Sequence, residues 1–230
     1  MQNDASAPLT RAVERQVTAD LFARASDPVQ EVAPGAVLLR AFAASQSGAL
    51  LAGLQDVVGR SPFRHMTTPG GYRMSVAMTN CGECGWITDE TGYRYGAVDP
   101  ATSARWPPLP SLFSALATAA AAAAAFDGFA PDACLISRYE PGARLSLHQD
   151  KDELDLASPL VSISLGLTAV FLFGGHRRSD RPLRVTLAHG DVVVWGGPAR
   201  LRFHGVLPLG EGHHPALGVH RVNLSLRKSR

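Results

Sequence analysis

Short apolar runs separated by turn residues dominate the second half of the chain. After Pro131 they read ACLISRY, VSISLGL, AVFLF, LRVTLAHGDVVVW, RLRFHGV and HRVNLSLR. Each run has the length of a β-strand, or of two strands joined by a turn. No stretch with helical spacing lies between them, which argues against a parallel α/β sheet. The pattern therefore predicts a β-sandwich or a β-barrel.

Apolar residues recur at helical spacing before these runs. Residues 45–58 predict an amphipathic helix that Gly59 ends. Residues 111–126 are rich in alanine, the residue with the highest helix propensity, and predict a second helix. A third helix is predicted over residues 10–25, with Thr10 as its cap. We expect the helices at 45–58 and 111–126 to pack on the outside of the strands.

The remaining segments define the predicted domain organisation. Residues 36–42 predict a buried strand, and residues 27–35, DPVQEVAPG, predict a linker. Residues 61–110 are rich in glycine, proline, aromatic residues and methionine, which indicates a surface subdomain or lid. We therefore expect an N-terminal extension with its linker over residues 1–33. One domain, which contains the lid, is expected over residues 34–230.

The composition is that of an ordinary globular protein. Hydrophobic residues make up 46% of the 230 residues and charged residues 18%, which excludes a mainly disordered or collagen-like chain. A net charge of +2 neither requires nor excludes a nucleic-acid partner. Three cysteines are too few for a disulfide framework, and we recognise neither a signal peptide nor a membrane span. We expect a cytoplasmic protein without a membrane partner.

His148 and Asp150 are the first candidates for chemistry. In an extended segment, side chains two residues apart project from the same face. With one distant histidine they would form the 2-His-1-carboxylate ligand set, which suits Fe(II) and leaves three coordination positions open. His204 lies in the strand-like run RFHGV, whereas His189 lies in a turn, where a loop role is favoured. The other candidates for the third ligand are His176, His213, His214 and His220.

The last apolar run alternates polar and aliphatic residues. Its polar face carries Arg221, Asn223, Ser225 and Arg227, and its aliphatic face carries Val222, Leu224 and Leu226. A half-exposed strand explains this pattern. An anion clamp explains it too, because a guanidinium grips a carboxylate through two parallel hydrogen bonds. A dicarboxylate such as 2-oxoglutarate would need one such grip at its far end while its keto-acid end binds the metal.

In combination these motifs resemble the AlkB family of Fe(II)/2-oxoglutarate-dependent dioxygenases. The resemblance covers about residues 33–227 and includes SPFR, MTTPGGYRMSVAMTNCG, PDACLI, RYEPGARLSLHQDKDE, VSISLGL, HGDVVVWGG and RVNLSLR. It implies a mainly β fold with flanking helices (α+β), built on a double-stranded β-helix, or jelly-roll. It also implies that His148, Asp150 and His204 form the catalytic iron centre.

The resemblance also implies a co-substrate site. Arg221 and Arg227 would bind the two ends of 2-oxoglutarate, with Asn223 and Ser225 beside them. Tyr139 would donate a hydrogen bond to the co-substrate. Ser137 belongs to the same implied site, although the family has asparagine at this position.

By the same resemblance, residues 61–110 form a nucleotide-recognition lid. A flipped base needs flat partners and hydrogen bonds to its edge. Trp86 would stack on the alkylated base, while Tyr93 and Tyr95 would contact the nucleotide backbone. The segment also supplies Met74 and Met78. Without the metal motif, we would interpret these residues as a minor hydrophobic core under a long loop.

Two charged residues complete the implied substrate site. Asp152 is in step with Asp150 along the chain, so that its carboxylate can accept a hydrogen bond from the exocyclic amine of adenine or cytosine. The same carboxylate favours a cationic alkylated ring. Its alternative is a solvated charge in KDELD. Arg178 would contact phosphate or substrate by resemblance, and its alternative is a charge in a turn.

The function implied is direct repair of alkylated nucleic acid. N1-methyladenine and N3-methylcytosine in DNA, or in RNA, would be demethylated with iron, oxygen and 2-oxoglutarate, releasing succinate, carbon dioxide and formaldehyde. We expect a monomer whose partner is alkylated single-stranded DNA, with double-stranded DNA or RNA as alternatives. Two other functions stay open: the same chemistry on a protein or small molecule, and a non-catalytic jelly-roll binding module. The pair Cys81 and Cys84 is interpreted as incidental.

Overall fold

The structure is a computed structural model that describes residues 27–230. The helix predicted over residues 10–25 lies outside the described residues. The helices are α1 (Ser47–Arg60) and α2 (Ser111–Ala123). The strands are β1 (Val29–Ala33), β2 (Ala36–Leu39), β3 (Arg64–Thr67), β4 (Arg73–Gly82), β5 (Gly85–Asp89), β6 (Gly92–Gly96), β7 (Ala133–Tyr139), β8 (Leu145–His148), β9 (Leu160–Gly166), β10 (Ala169–Phe173), β11 (Leu183–Leu187), β12 (Val192–Trp195), β13 (His204–Val206) and β14 (Arg221–Arg227).

Two facing antiparallel sheets form a jelly-roll. The larger sheet has eight strands in the order β1-β2-β12-β9-β14-β7-β4-β3, and the smaller has four in the order β11-β10-β13-β8. Strands β5 and β6 form a separate hairpin. A core between the two sheets includes Leu38 and Val193 from the larger sheet and Phe171 and Phe173 from the smaller one. This confirms the mainly β jelly-roll predicted from the sequence.

A second core lies between the larger sheet and the two helices. Ala117 and Ala121 of α2 are fully buried, and their small side chains let the helix lie close to the strands. The aliphatic face of β14 packs into this core. The polar face of β14 is therefore turned toward the space between the sheets, which excludes the half-exposed strand considered above.

The structure corrects the predicted linker. Within residues 27–35, Val29–Ala33 forms β1, which pairs with β2 at the edge of the larger sheet. Gly35 lies in the connecting turn with φ of 79°. An edge strand buries little of its surface, so the sequence VQEVA does not show the apolar pattern of a buried strand.

The structure also corrects the extent of the predicted lid. Within residues 61–110, β3 and β4 belong to the larger sheet, and β4 pairs with the buried strand β7. Buried polar residues hide this strand in the sequence. Thr79 and Asn80 are both fully buried, and their side chains bond to Ser61 and to the backbone of Trp86. The part that stands apart is the β5–β6 hairpin with the residues that follow it.

All three cysteines are buried free thiols. Cys81 and Cys134 are register neighbours on β4 and β7. Of the helices in residues 27–230, none combines the length and the apolar character that crossing a bilayer requires.

Candidate active site

Two adjacent strands of the smaller sheet carry a pair of histidines. His148 ends β8, His204 begins β13, and the two residues are register partners. Their ring centroids are 4.4 Å apart. Gly205 permits this close approach, because a Cβ at that position would lie 2.6 Å from the carbonyl oxygen of Leu145. Strand pairing thus brings together two ligands that are distant in sequence.

Asp150 completes a cluster of three possible metal ligands. Its Oδ1 lies 3.6 Å from Nε2 of His148, and its Oδ2 lies 3.5 Å from Nε2 of His204. In residues 27–230, no other group of His, Cys, Asp or Glu brings three ligand atoms within 4.8 Å of one another. Two ligands about 2.1 Å from a metal at a right angle are about 3 Å apart, so the spacing suits one ion. Two imidazoles and one carboxylate fit Fe(II).

Hydrogen bonds determine which nitrogen of each histidine is available. Nδ1 of His148 donates to the carbonyl oxygen of Ser146 over 2.9 Å, and Nδ1 of His204 donates to that of Arg202 over 3.1 Å. Because a carbonyl can only accept, each neutral ring keeps the lone pair on Nε2, the nitrogen next to Asp150. Burial, followed by the neighbouring His204, lowers the pKa of His148 to about 4. The His148 ring is therefore neutral near pH 7 and ready to bind a metal.

Arg227 pairs with the carboxylate of the cluster. Its Nη2 lies 2.9 Å from Oδ2 of Asp150. Burial alone would raise the pKa of Asp150, but Arg227 and then His204 outweigh it and hold this pKa well below its usual range. Burial alone would lower the pKa of Arg227, whereas Asp150, Tyr95 and Glu153 raise it well above its ordinary value. The pair is therefore ionised throughout the physiological range.

The rest of the polar face of β14 also reaches the space between the sheets. Arg221 is 1% exposed, and its Nη2 donates to the hydroxyl of Ser164 over 2.9 Å. Its Nε and Nη1 have no hydrogen-bond partner in the described part of the chain. The guanidinium lies 5.4 Å from the ring centroid of Tyr139. A buried cation with unused donors fits a carboxylate ligand. Asn223 donates to Ser162 and accepts from Ser225.

The β5–β6 hairpin supplies an aromatic surface. Nε1 of Trp86 donates to Oδ2 of Asp152 over 2.9 Å, and the indole stacks on Tyr93 with centroids 5.7 Å apart. Asn80 holds the backbone of Trp86 through two hydrogen bonds of 3.0 Å, one given and one received. The indole is therefore fixed both at its ring and at its backbone.

One cavity of about 800 Å³ joins these groups. The predicted site residues that line it are Met78, Trp86, Tyr93, Ser137, Tyr139, His148, Asp150, Asp152, Arg178, His204, Arg221, Asn223, Ser225 and Arg227. Arg178 donates to the carbonyl oxygen of Leu147 and lies over the ring of Phe203.

Tyr95 lies outside the wall of this cavity, which differs from the expectation for this residue. Its hydroxyl donates to Glu153 over 2.9 Å and accepts from Arg227 over 2.8 Å. Two buried charged groups thus hold the hydroxyl, and the contact of Tyr95 with a nucleotide backbone stays a prediction.

The alternative third ligands lie elsewhere. Nδ1 of His189 accepts from the backbone N–H of Gly166, and its ring stacks on that of His214 with centroids 4.4 Å apart. His176 is exposed. Among the histidines of the described residues, His204 is therefore the partner of His148 and Asp150.

Sequence reasoning missed two buried charges behind the site. The side chains of Glu153 and Arg200 are 0% and 4% exposed and lie 3.3 Å apart. Glu153 belongs to the run KDELD, where alternating charges indicate a solvated segment. Nothing in the local pattern separates it from its exposed neighbours. Only the tertiary fold brings Arg200 and Arg227 next to Glu153, so the sequence carries no signal for its burial.

The fold and the cluster together define a mononuclear oxygenase of the 2-His-1-carboxylate type. The sequence profile of the 2OG-Fe(II) oxygenase superfamily matches residues 35–227. Over 210 residues the chain is 56% identical to the alpha-ketoglutarate-dependent dioxygenase AlkB of Salmonella typhimurium, which covers 91% of this chain and 97% of that protein. The chain therefore belongs to the AlkB family of 2OG-Fe(II) oxygenases, which use Fe(II) and 2-oxoglutarate.

Two further comparisons extend this result. The solved structure of OsALKBH1 superposes with a TM-score of 0.75 at 30% identity, and the match covers 87% of this chain and all of that one. A human protein named nucleic acid dioxygenase ALKBH1 is 36% identical over 131 residues, which is 55% of this chain and 33% of that protein.

Proposed function

We propose that the protein repairs alkylated nucleic acid by oxidative demethylation, with N1-methyladenine and N3-methylcytosine in DNA as its principal substrates. One observation carries this proposal: the metal cluster and the Trp86–Asp152 pair line the same cavity. A flat ring beside a carboxylate suits the face and the edge of an extruded base. A hydroxylase of peptides or small molecules has no comparable need for this pair. The name of the human relative points to the same class of substrate.

The residues of β8, β13 and β14 have separate tasks in the proposed reaction. When bound, Fe(II) and 2-oxoglutarate supply the oxidising chemistry that hydroxylates the N-methyl carbon, with succinate and carbon dioxide as co-products. His148, Asp150 and His204 hold the metal. Arg227, which pairs with Asp150, binds the carboxylate nearest the metal. The distal carboxylate and its immediate surroundings are assigned to Arg221, Asn223, Ser225, Ser137 and Tyr139.

Trp86 of the β5–β6 hairpin and Asp152 hold the base while its methyl group reacts. Trp86 stacks on the alkylated ring. Asp152 donates no proton; its Oδ2 accepts from Trp86, which leaves Oδ1 to accept from the exocyclic amine of the base. The hydroxymethyl group on the ring nitrogen then collapses to the repaired base and formaldehyde. Met78, Tyr93 and Arg178 complete the proposed substrate contacts.

Cations around the mouth of the cavity favour a polyanionic partner. The exposed cavity residues include Arg73, Arg144, Lys151 and Arg178. Single-stranded DNA is the preferred substrate in this proposal, because an unpaired base is extruded at the lowest cost. Double-stranded DNA and RNA are the comparisons to make. We further propose a monomer in the cytoplasm, since one chain supplies the whole ligand cluster and the three cysteines are unpaired.

Mass spectrometry of alkylated oligonucleotides tests this function directly. Single-stranded DNA oligonucleotides with one N1-methyladenine or N3-methylcytosine would be incubated with the protein, Fe(II), 2-oxoglutarate and ascorbate. We expect the oligonucleotide to lose the mass of one CH2 group, because hydrogen replaces the methyl group, and we expect succinate to form. Both changes should be absent with His204→Ala. Exposed His176→Ala is the matched control. Unchanged masses for every lesion, with the wild-type protein forming succinate on another substrate, would reject the proposal.

A further inference from the structure

A buried carboxylate next to the metal cluster has no part in the function proposed above. Oε1 of Glu153 lies 2.9 Å from Nη1 of Arg227, and Oε2 of the same carboxylate lies 3.3 Å from Nη2 of Arg200. The Glu153 side chain is 0% exposed. A carboxylate at this depth is stable in its ionised form only with such partners. Two arginines therefore share one buried anion.

Both arginines also hold Asp150. Nη2 of Arg227 lies 2.9 Å from Oδ2 of Asp150, and Nη1 of Arg200 donates to the carbonyl oxygen of Asp150 over 2.6 Å. Glu153 thus acts on both the side chain and the backbone of a metal ligand through two intermediates. The two carboxylates balance the two guanidinium groups, so that the network is neutral before any ligand binds.

Tyr95 connects this network to the β5–β6 hairpin. Its hydroxyl contacts both Glu153 and Arg227. Tyr95 is also the register partner of Trp86 across the hairpin, and Trp86 donates to Asp152. The hairpin is therefore attached to the segment that follows Asp150 through two consecutive carboxylates.

Tyr95 and Glu153 occupy some of the N–H donors of Arg227 and leave others for a ligand. A guanidinium has five N–H donors. Nη1 donates to both Tyr95 and Glu153, and Nη2 lies 2.9 Å from Oδ2 of Asp150 in an ion pair. Nε has no hydrogen-bond partner among residues 27–230. The edge of the guanidinium that remains for a ligand is therefore the one formed by Nε and Nη2. Tyr95 and Glu153 together fix which edge of the guanidinium is offered.

We propose that Glu153 and Tyr95 are positioning residues that orient Arg227 toward the co-substrate, and that they link docking of the β5–β6 hairpin to 2-oxoglutarate affinity. This inference rests on the role proposed for Arg227 as a ligand of the co-substrate. The link is reciprocal by thermodynamic necessity: a bound co-substrate stabilises the docked hairpin by the same factor by which docking strengthens co-substrate binding.

Charge and positioning predict opposite results for Glu153→Gln. The substitution removes a negative charge beside the site of a dianion, so charge alone would tighten 2-oxoglutarate binding. Positioning predicts a dissociation constant roughly tenfold higher, because the charged acceptor that orients Arg227 is lost. Tyr95→Phe leaves the charge unchanged and should raise the dissociation constant about threefold, since a single neutral hydroxyl is lost.

The experiment titrates 2-oxoglutarate into the full chain loaded with Zn(II), which supports binding without turnover, and follows the heat of binding. Hydrogen exchange of residues 85–96 is measured with and without saturating 2-oxoglutarate. We expect the co-substrate to protect this hairpin in the wild-type protein, and we expect both variants to reduce that protection. Glu90→Gln is the matched control, because Glu90 is exposed at the turn of the same hairpin. It should bind as tightly as wild type.

Unchanged or tighter binding by Glu153→Gln, with wild-type protection of the hairpin in Tyr95→Phe, would overturn the inference. Should Glu153→Gln fail to fold, Tyr95→Phe alone decides, since it removes one oxygen atom from a half-buried side chain. The assay on methylated oligonucleotides is separate. A wild-type protein that binds 2-oxoglutarate without demethylating them would reject the proposed substrate and leave this inference standing. A wild-type protein that does not bind 2-oxoglutarate would reject both the role of Arg227 and this inference.

Discussion

Asp152 meets two demands at once in the proposed site. Its Oδ2 holds the indole of Trp86, and its Oδ1 remains for the base edge. N1-methyladenine and N3-methylcytosine are cationic and carry an exocyclic amine, so a carboxylate attracts both. N1-methylguanine and N3-methylthymine are neutral and present a carbonyl there, which a carboxylate repels. The residue therefore has a chemical reason to separate the two pairs of lesions.

Asp152→Ala should lower the rates on the two cationic lesions roughly tenfold, because a charge-assisted hydrogen bond to the base is lost. The rates on the two neutral lesions should fall much less. Trp86→Ala should slow all four lesions, since every base offers a face for stacking. The measurement is a comparison of single-turnover rates on four matched oligonucleotides. A common factor for all four lesions in Asp152→Ala would contradict the proposed discrimination.

Asn80 supports the aromatic surface from below the hairpin. It is fully buried, and its side chain makes two hydrogen bonds to the backbone of Trp86. Asn80→Ala should destabilise the protein by about 1–3 kcal/mol, because the buried backbone groups of Trp86 lose their partners. It should also lower the demethylation rates on all four lesions by a similar factor. Asn80→Asp is the control that keeps one acceptor. Thermal unfolding and oligonucleotide rates check this, and wild-type values for the alanine variant would be evidence against the role.

The residues of the site differ in how far the sequence reveals them. His148 with Asp150, and Arg221 with Arg227, are readable because strand alternation alone places each pair on one face. Asn80 and Glu153 are not, because their partners are fixed only by the tertiary fold. Tyr95 illustrates the same limit, since the resemblance gives it the same role as Tyr93, and only the fold shows its contacts with Glu153 and Arg227.

At the scale of elements, the pairing of β8 with β13 determines the metal cluster. The backbone of β8 passes so close to Gly205 that a Cβ there would meet the Leu145 carbonyl oxygen at 2.6 Å and the Ser146 carbonyl carbon at 3.1 Å. Backbone atoms of a paired strand cannot move aside independently. Any side chain at Gly205 must therefore shift β8 relative to β13, and with it His148 relative to His204.

Gly205→Ala should weaken metal binding by at least tenfold and lower the free energy of unfolding by roughly 1–3 kcal/mol, as overpacking of a close contact does. Titration with Co(II), followed by its visible absorption, measures the affinity. Gly210→Ala is the matched control, because a Cβ at Gly210 meets nothing within 4 Å. If Gly205→Ala and Gly210→Ala change the Co(II) affinity equally, the close approach of β8 and β13 does not determine the geometry of the metal cluster.

The elements also show where patterning suffices and where it fails. Strands β7, β10 and β14 follow the predicted runs because their apolar residues face a core on the helix side or between the sheets. The edge strand β1 buries so little surface that its sequence lacks the apolar pattern that would predict a strand. Strand β4 carries buried polar residues whose partners lie elsewhere in the chain, so its sequence predicts a part of the lid rather than a strand of the larger sheet.

For the whole molecule, the distribution of charge matters more than its sum. The net charge is only +2, yet exposed cations gather at the mouth of the cavity, while Arg227 pairs with Asp150 and Glu153 deeper inside. This concentration is not visible in the composition, because it depends on how distant segments are arranged around the opening. The mouth should therefore bind the phosphates of a strand that delivers its base to the cavity.

Binding of a methylated single-stranded oligonucleotide should weaken steeply with salt. Each phosphate contact on a single strand contributes a slope of about −0.7 to the plot of log affinity against log salt concentration, so four rim cations would give up to about −3. Arg144→Gln should make the slope less negative by about 0.7 and weaken binding of methylated and unmethylated strands alike. Arg184→Gln is the control, because Arg184 is exposed on β11 and does not line the cavity.

Fluorescence anisotropy over a salt series measures both slopes. If the two variants change the slope equally, binding is a property of the overall charge and the rim has no special role. If only Arg144→Gln changes it, the strand lies across the mouth of the cavity.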